Sequence, residues 1–228
     1  MRHYAVKEVF ATLQGEGALA GTPAVFVRLS GCNLWSGDDG TRERDAVGNA
    51  ASCPRWCDTS FAHGAPHSAE ELAVRVRACA TDHPPLLVLT GGEPLLQIDR
   101  ALVDVLRSAG GFRCVAVETN GTAAFRDGGQ TESGVDWVCV SPKTEPGRVV
   151  VRSGEELKVV FPGGLRDPEQ YAGELGAFGH YFVSPCADVS AVGDSSPSAV
   201  ATAEAVEYVQ RHPRWRLSLQ THKMIGLR

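Results

Sequence analysis

The chain has 228 residues, 43% of them hydrophobic, enough for one domain with a sizeable core. Its net charge of −5 argues against a broad phosphate-binding face and so against a nucleic-acid partner, and no apolar run reaches the ~18 residues of a membrane span. The start, MRHYAVKE, lacks the apolar stretch of a signal peptide, and seven scattered cysteines do not make a secreted disulfide scaffold, so the expected compartment is the cytoplasm.

In chain order, apolar β-branched runs predict strands at 4–10, 24–30, 85–90, 114–119, 135–140, 156–161, 180–184 and 215–220. Between the second and third, Gly37 to Asp45 (GDDGTRERD) reads as a polar surface insertion. Ser68-Ala69-Glu70-Glu71 has the form of a capping box with Ser68 as N-cap. Ile98, Leu102, Val105 and Leu106 give 98–109 the pattern of an amphipathic helix. Asp167-Pro168-Glu169 and Ser196-Pro197 each set a proline at a first helical position behind a capping side chain. Strand–helix alternation predicts an α/β fold of parallel strands with helices outside. Barrel closure does not follow from the pattern.

The unusual residues stand where these strands end. Cys32 follows 24–30, and Thr90 leads into Gly91-Gly92-Glu93-Pro94 after 85–90. Glu118-Thr119-Asn120-Gly121 ends the next run, Ser141-Pro142-Lys143 the one after it, Ser184-Pro185 ends 180–184, and Gln220-Thr221-His222-Lys223 ends the last. Turns after strands are polar in any α/β protein. Six such clusters predict one shared pocket, because the carboxyl ends of parallel strands converge on one face. The chain has four lysines (Lys7, Lys143, Lys158, Lys223) against eighteen arginines. A retained lysine suggests a need for a compact ammonium, and Lys143 and Lys223 fall in these clusters; for Lys7 and Lys158 a chance surface position is an equal reading.

Cys32, Cys53 and Cys57 share one loop. Three thiolates can hold a 4Fe–4S cluster by three corners and leave one iron open to a small molecule, whereas a structural metal site fills every position. A structural zinc site would use the same thiols but leave GGEP and SPK without a purpose, and an electron carrier would want a fourth cysteine. Cys79, Cys114 and Cys139 read as small buried hydrophobes; Cys186 falls nearer the pocket.

The cysteine loop, GGEP, ETNG, SPK, ELKVV and QTHK together resemble the radical S-adenosylmethionine enzymes. VKEVFATLQGEG (6–17) and Trp35-Ser36-Gly37 narrow the resemblance to the 7-carboxy-7-deazaguanine synthase family, from about residue 4 to the end of the chain. It implies an incomplete (β/α)6 TIM-like barrel in one domain, with an N-terminal substrate loop (4–17), a cluster loop with an insertion (31–60) and a C-terminal substrate-binding tail (215–228). It implies a lyase that contracts the ring of 6-carboxy-5,6,7,8-tetrahydropterin to 7-carboxy-7-deazaguanine, releasing ammonia, for queuosine or a related deazapurine and hence for tRNA modification. A glycyl-radical activase, with a protein substrate, is the alternative radical enzyme; the 14–17 loop and the QTHK tail speak against it.

What the resemblance implies for residues is specific. Cys32, Cys53 and Cys57 would hold the 4Fe–4S cluster. S-adenosylmethionine would meet Gly91, Gly92 and Glu93 at its amino group, Glu118 and Asn120 at its ribose or carboxylate, and Ser141, Lys143 and Ser184 on its far side. Leu13, Gln14, Gly15, Glu16 and Gly17, with Thr90 and Gly92, would line the pterin. Arg28, His222 and Lys223 would meet its carboxylate, with Mg²⁺ on Thr59. The chain stops five residues after Lys223, so the carboxylate of Arg228 is expected at the substrate's guanidine-like edge. A flavodoxin or ferredoxin reductant and a homodimer are implied as well. The chain departs from the family pattern at two places. Its gaps between cysteines are twenty and three residues, each longer than usual, and Ser60 stands where an aspartate is common.

Overall fold

The fold is that of a computed structural model describing residues 2–80, 86–188 and 197–227. Pro85, Ser196 and Arg228, singled out above, lie outside these residues. One mixed sheet organises the chain, in the order β3-β1-β2-β4-β5-β6-β7-β8-β9. Its strands are β1 (Tyr4–Leu13), β2 (Pro23–Leu29), β3 (Ala65–His67), β4 (Leu86–Gly91), β5 (Cys114–Thr119), β6 (Trp137–Val140), β7 (Gly154–Val160), β8 (Phe178–Ser184) and β9 (Arg216–Leu217). From β2 through β4 to β9 every neighbouring pair is parallel, and the order does not close on itself. β2 and β4–β8 are the six strands of an incomplete (β/α)6 barrel.

All eight predicted strands are present, but the expectation of parallel strands throughout is corrected at the start of the chain. β1 runs antiparallel to β2, with Val9 opposite Val27, and antiparallel to β3, which the sequence pattern did not predict. Nine residues (14–22) join β1 to β2, too few for a crossover, so the chain turns back as a hairpin. The predicted 215–220 strand shrinks to two residues because the chain bends away after Ser218 N donates to Val183 O at 2.8 Å.

Among the described residues the α-helices are α1 (Arg42–Gly48), α2 (Ala69–Cys79), α3 (Arg100–Gly110), α4 (Gln130–Ser133), α5 (Pro168–Glu174), α6 (Ala199–Arg211) and α7 (Thr221–Met224). The capping box of α2 forms as predicted: Ser68 Oγ accepts from Glu71 N and Glu71 reaches back to Ser68 N. Asp167 caps α5 with Pro168 in its first turn. Two expectations shift by a residue or two. α3 begins after Ile98, capped by Asp99, and its buried face is Leu102, Val103 and Leu106 rather than Val105. α6 begins behind Ser198, which accepts from Ala201 N, and not at Pro197. The polar insertion, Gly37 to Asp45, holds a 3₁₀ turn (Asp39–Thr41) leading into α1.

The β2 and β4 strands are apolar on both faces, as sandwiched parallel strands are. Val25, Val27, Leu87 and Leu89 face the main core with Leu72 and Val76 of α2 and Leu102 of α3. Ala24, Phe26, Leu86 and Val88 face a smaller apolar layer with Phe10 and Trp137. Each fully buried Val or Leu among them contributes roughly 1.5–3 kcal/mol, which holds the strands still while their polar ends converge. Among the described residues no helix is long and apolar enough to cross a membrane.

Candidate active site

The six predicted polar clusters do converge. One cavity is lined by Cys32 after β2, Gly91 and Gly92 at the end of β4, Glu118 and Asn120 at the end of β5, Ser141 and Lys143 after β6, Ser184 at the end of β8, and Gln220 after β9. Cys53, Cys57, Thr59, Thr90 and Glu16 complete its predicted members. A second cavity is lined by Leu13, Gln14, Arg28, His222 and Lys223. The two share Glu16, Asp58, Thr59, Thr90, Glu118 and Gln220 as a common wall.

The three thiols reach the first cavity by different local devices. Leu34 N donates to Cys32 Sγ at 3.4 Å, and Cys53 opens a 3₁₀ turn, Cys53–Arg55. Cys57 N donates to Cys53 O at 2.7 Å, so the lengthened gap closes one helical turn and both sulfurs reach one wall. Burial pushes the Cys32 thiol up to about 11, and raises Cys53 and Cys57 as well. Such thiols stay protonated near neutrality until a metal displaces the proton. Among the described residues, no three His, Cys, Asp or Glu side chains are grouped to hold a single metal ion. The thiols border a cavity, which suits a multi-atom cluster.

Backbone room is supplied where the loops meet. A Cβ on Gly92 would lie 2.3 Å from Gly31 O and 2.7 Å from Cys32 Cβ, so no other residue fits against the cysteine loop. Glu93 is fully buried behind this wall and does not line either cavity. It accepts from Thr119 Oγ1 (2.7 Å), Asn120 N (2.8 Å) and Leu95 N (3.0 Å). Burial pushes its carboxyl up to about 7 against those three donors. Its direct contacts fix the ETNG turn. Asn120 Nδ2 in turn donates to Asn33 Oδ1 at 3.1 Å, tying that turn to the cysteine loop.

Lys143 Nζ donates to Ser141 Oγ at 2.6 Å and lies 5.1 Å from the Trp56 ring. Burial lowers its pKa, while the neighbouring Cys53 and Cys57 act the other way.

At the common wall sits a charge network whose centre the sequence reading missed. Lys158, buried in β7, donates to Glu16 Oε2 at 2.6 Å and lies 3.8 Å from Glu118 Oε1. Gln14 Nε2 also donates to Glu118, at 3.0 Å. Burial alone would raise the Glu16 carboxyl, but Lys158 and Gln220 hold it down to about 2. Gln220 Nε2 bridges Glu16 (3.1 Å) and Asp58 (3.3 Å), and Lys223 Nζ donates to Asp58 Oδ2 at 2.6 Å. Gln220 Oε1 is buried without a hydrogen-bond partner among the described residues, an acceptor aimed at a missing donor. The scarcity of lysine and the ELKVV and QTHK motifs were the signals for Lys158 and Gln220.

Gly15 and Gly17 line neither cavity. They make room: a Cβ on Gly15 would meet His222 Nδ1 at 1.8 Å, and one on Gly17, at φ +68°, would meet Glu156 Oε1 at 2.1 Å. Thr221 N and Oγ1 both donate to Gly15 O, which fixes α7 on the β1–β2 turn. Burial lowers the pKa of His222, keeping it neutral. Arg28 Nε is anchored on Glu8 at 2.8 Å, presenting its guanidinium to the second cavity. Of the remaining cysteines, Cys139 is buried, Cys79, Cys114 and Cys186 are half-buried, and none of the four lines the two main cavities.

No protein-family model matches the chain. It is 47% identical to a protein of Bradyrhizobium diazoefficiens over 233 residues, covering 99% of both chains, and 47% identical to one of Bordetella pertussis over 234 residues, covering 98% of this chain and 99% of the other. Both are named 7-carboxy-7-deazaguanine synthase. A crystal structure described as QueE from Escherichia coli superposes with a TM-score of 0.64 at 26% identity, over 96% of this chain and 95% of that one.

Proposed function

The chain belongs to the 7-carboxy-7-deazaguanine synthase family, and from that premise we propose that it contracts 6-carboxy-5,6,7,8-tetrahydropterin to 7-carboxy-7-deazaguanine with release of ammonia. It is a carbon–nitrogen lyase, and its product feeds queuosine or a related deazapurine. The observation that carries this reading is the pair of cavities joined at one wall: three thiols border one, and a recognition loop and tail border the other. Such an arrangement supports a reading in which a radical source would lie beside a flat heterocycle.

The donor set fits a 4Fe–4S cluster: three thiols on one cavity, a glycine cradle against Cys32, and no fourth cysteine lining that cavity. When bound, the cluster and S-adenosylmethionine would supply one-electron, carbon-radical chemistry at this cavity. Cys32, Cys53 and Cys57 would hold the cluster; Gly91 and Gly92 leave backbone open beside it; Asn120, Ser141, Lys143 and Ser184 would hold the cofactor's polar groups, with Glu93 positioning the turn that carries Asn120.

On the other side, Glu16, ionised through Lys158, and the unpaired Gln220 Oε1 are acceptors for the N–H groups of a pterin edge. Arg28, neutral His222 and Lys223 offer donors to its carboxylate. Thr59 beside Asp58 provides the oxygen donors that Mg²⁺ takes, the hydroxyl lying 3.5 Å from Asp58 Oδ1. A flavodoxin or ferredoxin reductant, a homodimer and a cytoplasmic setting complete the proposal; kinship over nearly the whole chain is what sets aside a glycyl-radical activase or a zinc protein.

Anaerobic reconstitution with iron and sulfide, followed by reductant, S-adenosylmethionine, Mg²⁺ and the carboxypterin, tests this. The expected result is brown 4Fe–4S absorbance and a product of the mass of 7-carboxy-7-deazaguanine, both lost in Cys32→Ala, Cys53→Ala and Cys57→Ala. A chain that takes up zinc alone, or forms 5′-deoxyadenosine without that product, overturns the reading.

A further inference from the structure

The gap between Cys53 and Cys57 holds three residues, and the gap before it holds an insertion that folds as α1. These two irregularities touch. Arg42, the first residue of α1, donates through Nη1 to Pro54 O at 2.7 Å and through Nη1 and Nη2 to Cys57 O, each at 3.2 Å. The next residue, Glu43, pairs with Arg55 through two bonds of 2.8 Å. α1 thus grips the lengthened turn by its carbonyls and by its central side chain.

The guanidinium is itself held. Its carbon lies 4.4 Å from the ring of Trp35, which lines the cluster cavity, and its other edge pairs with Asp39 at 2.7 Å. Arg42 is 23% exposed where Asp39 is 83% exposed, so it is the inner partner of that pair. A planar fork that bridges two carbonyls and stacks on an indole cannot be replaced by a point charge without loss.

Resting on the cluster reading above, we propose that α1 is a clamp compensating for the third residue between Cys53 and Cys57, and that Arg42 is the positioning residue which sets those two thiols. A three-residue turn has more ways to misplace its ends than a two-residue one. Two donors on the carbonyls of Pro54 and Cys57 remove that freedom. The same cation, one peptide group from a ligand, favours the more negative reduced cluster.

The test uses the reconstituted full chain and reads the cluster, not turnover. Outer partners of metal ligands typically alter metal affinity about 10–100-fold. Arg42→Ala is therefore expected to release iron to a chelator about tenfold faster than the wild type, with shifted g values in the reduced EPR spectrum and a lower midpoint potential. Arg42→Lys, which keeps the charge and loses the fork, falls between the two. Deleting Pro54 in the Arg42→Ala background restores the shorter gap and slows iron release again. Wild-type release rates and spectra in both Arg42→Ala and Arg42→Lys, with unchanged far-UV circular dichroism, overturn the proposal. Should Arg42→Ala fail to fold, wild-type behaviour of Arg42→Lys alone does so. A wild-type chain that holds no 4Fe–4S cluster instead defeats the functional reading on which the inference rests.

Discussion

Lys158 lies inside β7, on a strand that is otherwise apolar toward its end, yet its ammonium is 2.6 Å from Glu16 and 3.8 Å from Glu118. Breaking a buried pair by removing one member typically costs about 3–5 kcal/mol, since the other charge stays behind. Lys158→Met is expected to lose about that much stability and to lose pterin turnover with it. The linked pH dependence has a definite sign. Glu16 is depressed from 4.5 to about 2, so its contribution is present above 4.5 and lost as the pH falls through about 2. Urea midpoints of the apo protein across that window should fall in the wild type, and Lys158→Met should show a smaller fall there. Parallel curves for the two proteins would refute the coupling.

Between elements, the tightest constraint is α7 on the β1–β2 turn. Gly15 O takes two bonds from Thr221, and the absent side chain of Gly15 is the space that His222 fills. Gly15→Ala therefore has to move α7, and with it His222 and Lys223, away from the second cavity. A misplacement of about 1 Å can cost a hundredfold in rate, so kcat/KM for the pterin should drop roughly ten- to a hundredfold while iron content and cluster absorbance stay unchanged. An unchanged KM and kcat would show that the tail does not hold substrate.

For the whole molecule, one sheet among the described residues runs from β3 to β9 and carries both the cysteine loop, which follows β2, and the tail, which follows β9. Trp35 and Trp56 report on the cluster loop, Trp137 on β6, and Trp215 on the entry to β9. Denaturant unfolding of the apo chain should give coincident transitions by tryptophan fluorescence and far-UV circular dichroism, as one cooperative unit does. An early fluorescence step would mean that the cluster loop unfolds by itself.

The strands other than β3, the caps of α2 and α5 and the three cysteines were legible in the sequence because each depends on neighbours a few residues away: alternating or unbroken apolar runs, a side chain two or three positions before the backbone N–H it accepts from, thiols in one loop. The convergence of strand-end clusters was legible for the same reason, since parallel strands direct their ends alike. Tertiary structure alone decided the rest. It turned β1 back as a hairpin, made the insertion a helix that holds Pro54 and Cys57, and set Glu93 behind the cavity wall. It also brought Lys158 and Gln220 to Glu16 across separations of 142 and 204 residues. Local sequence cannot encode those meetings, because they follow from which faces the packed sheet buries and which loops its curvature brings together.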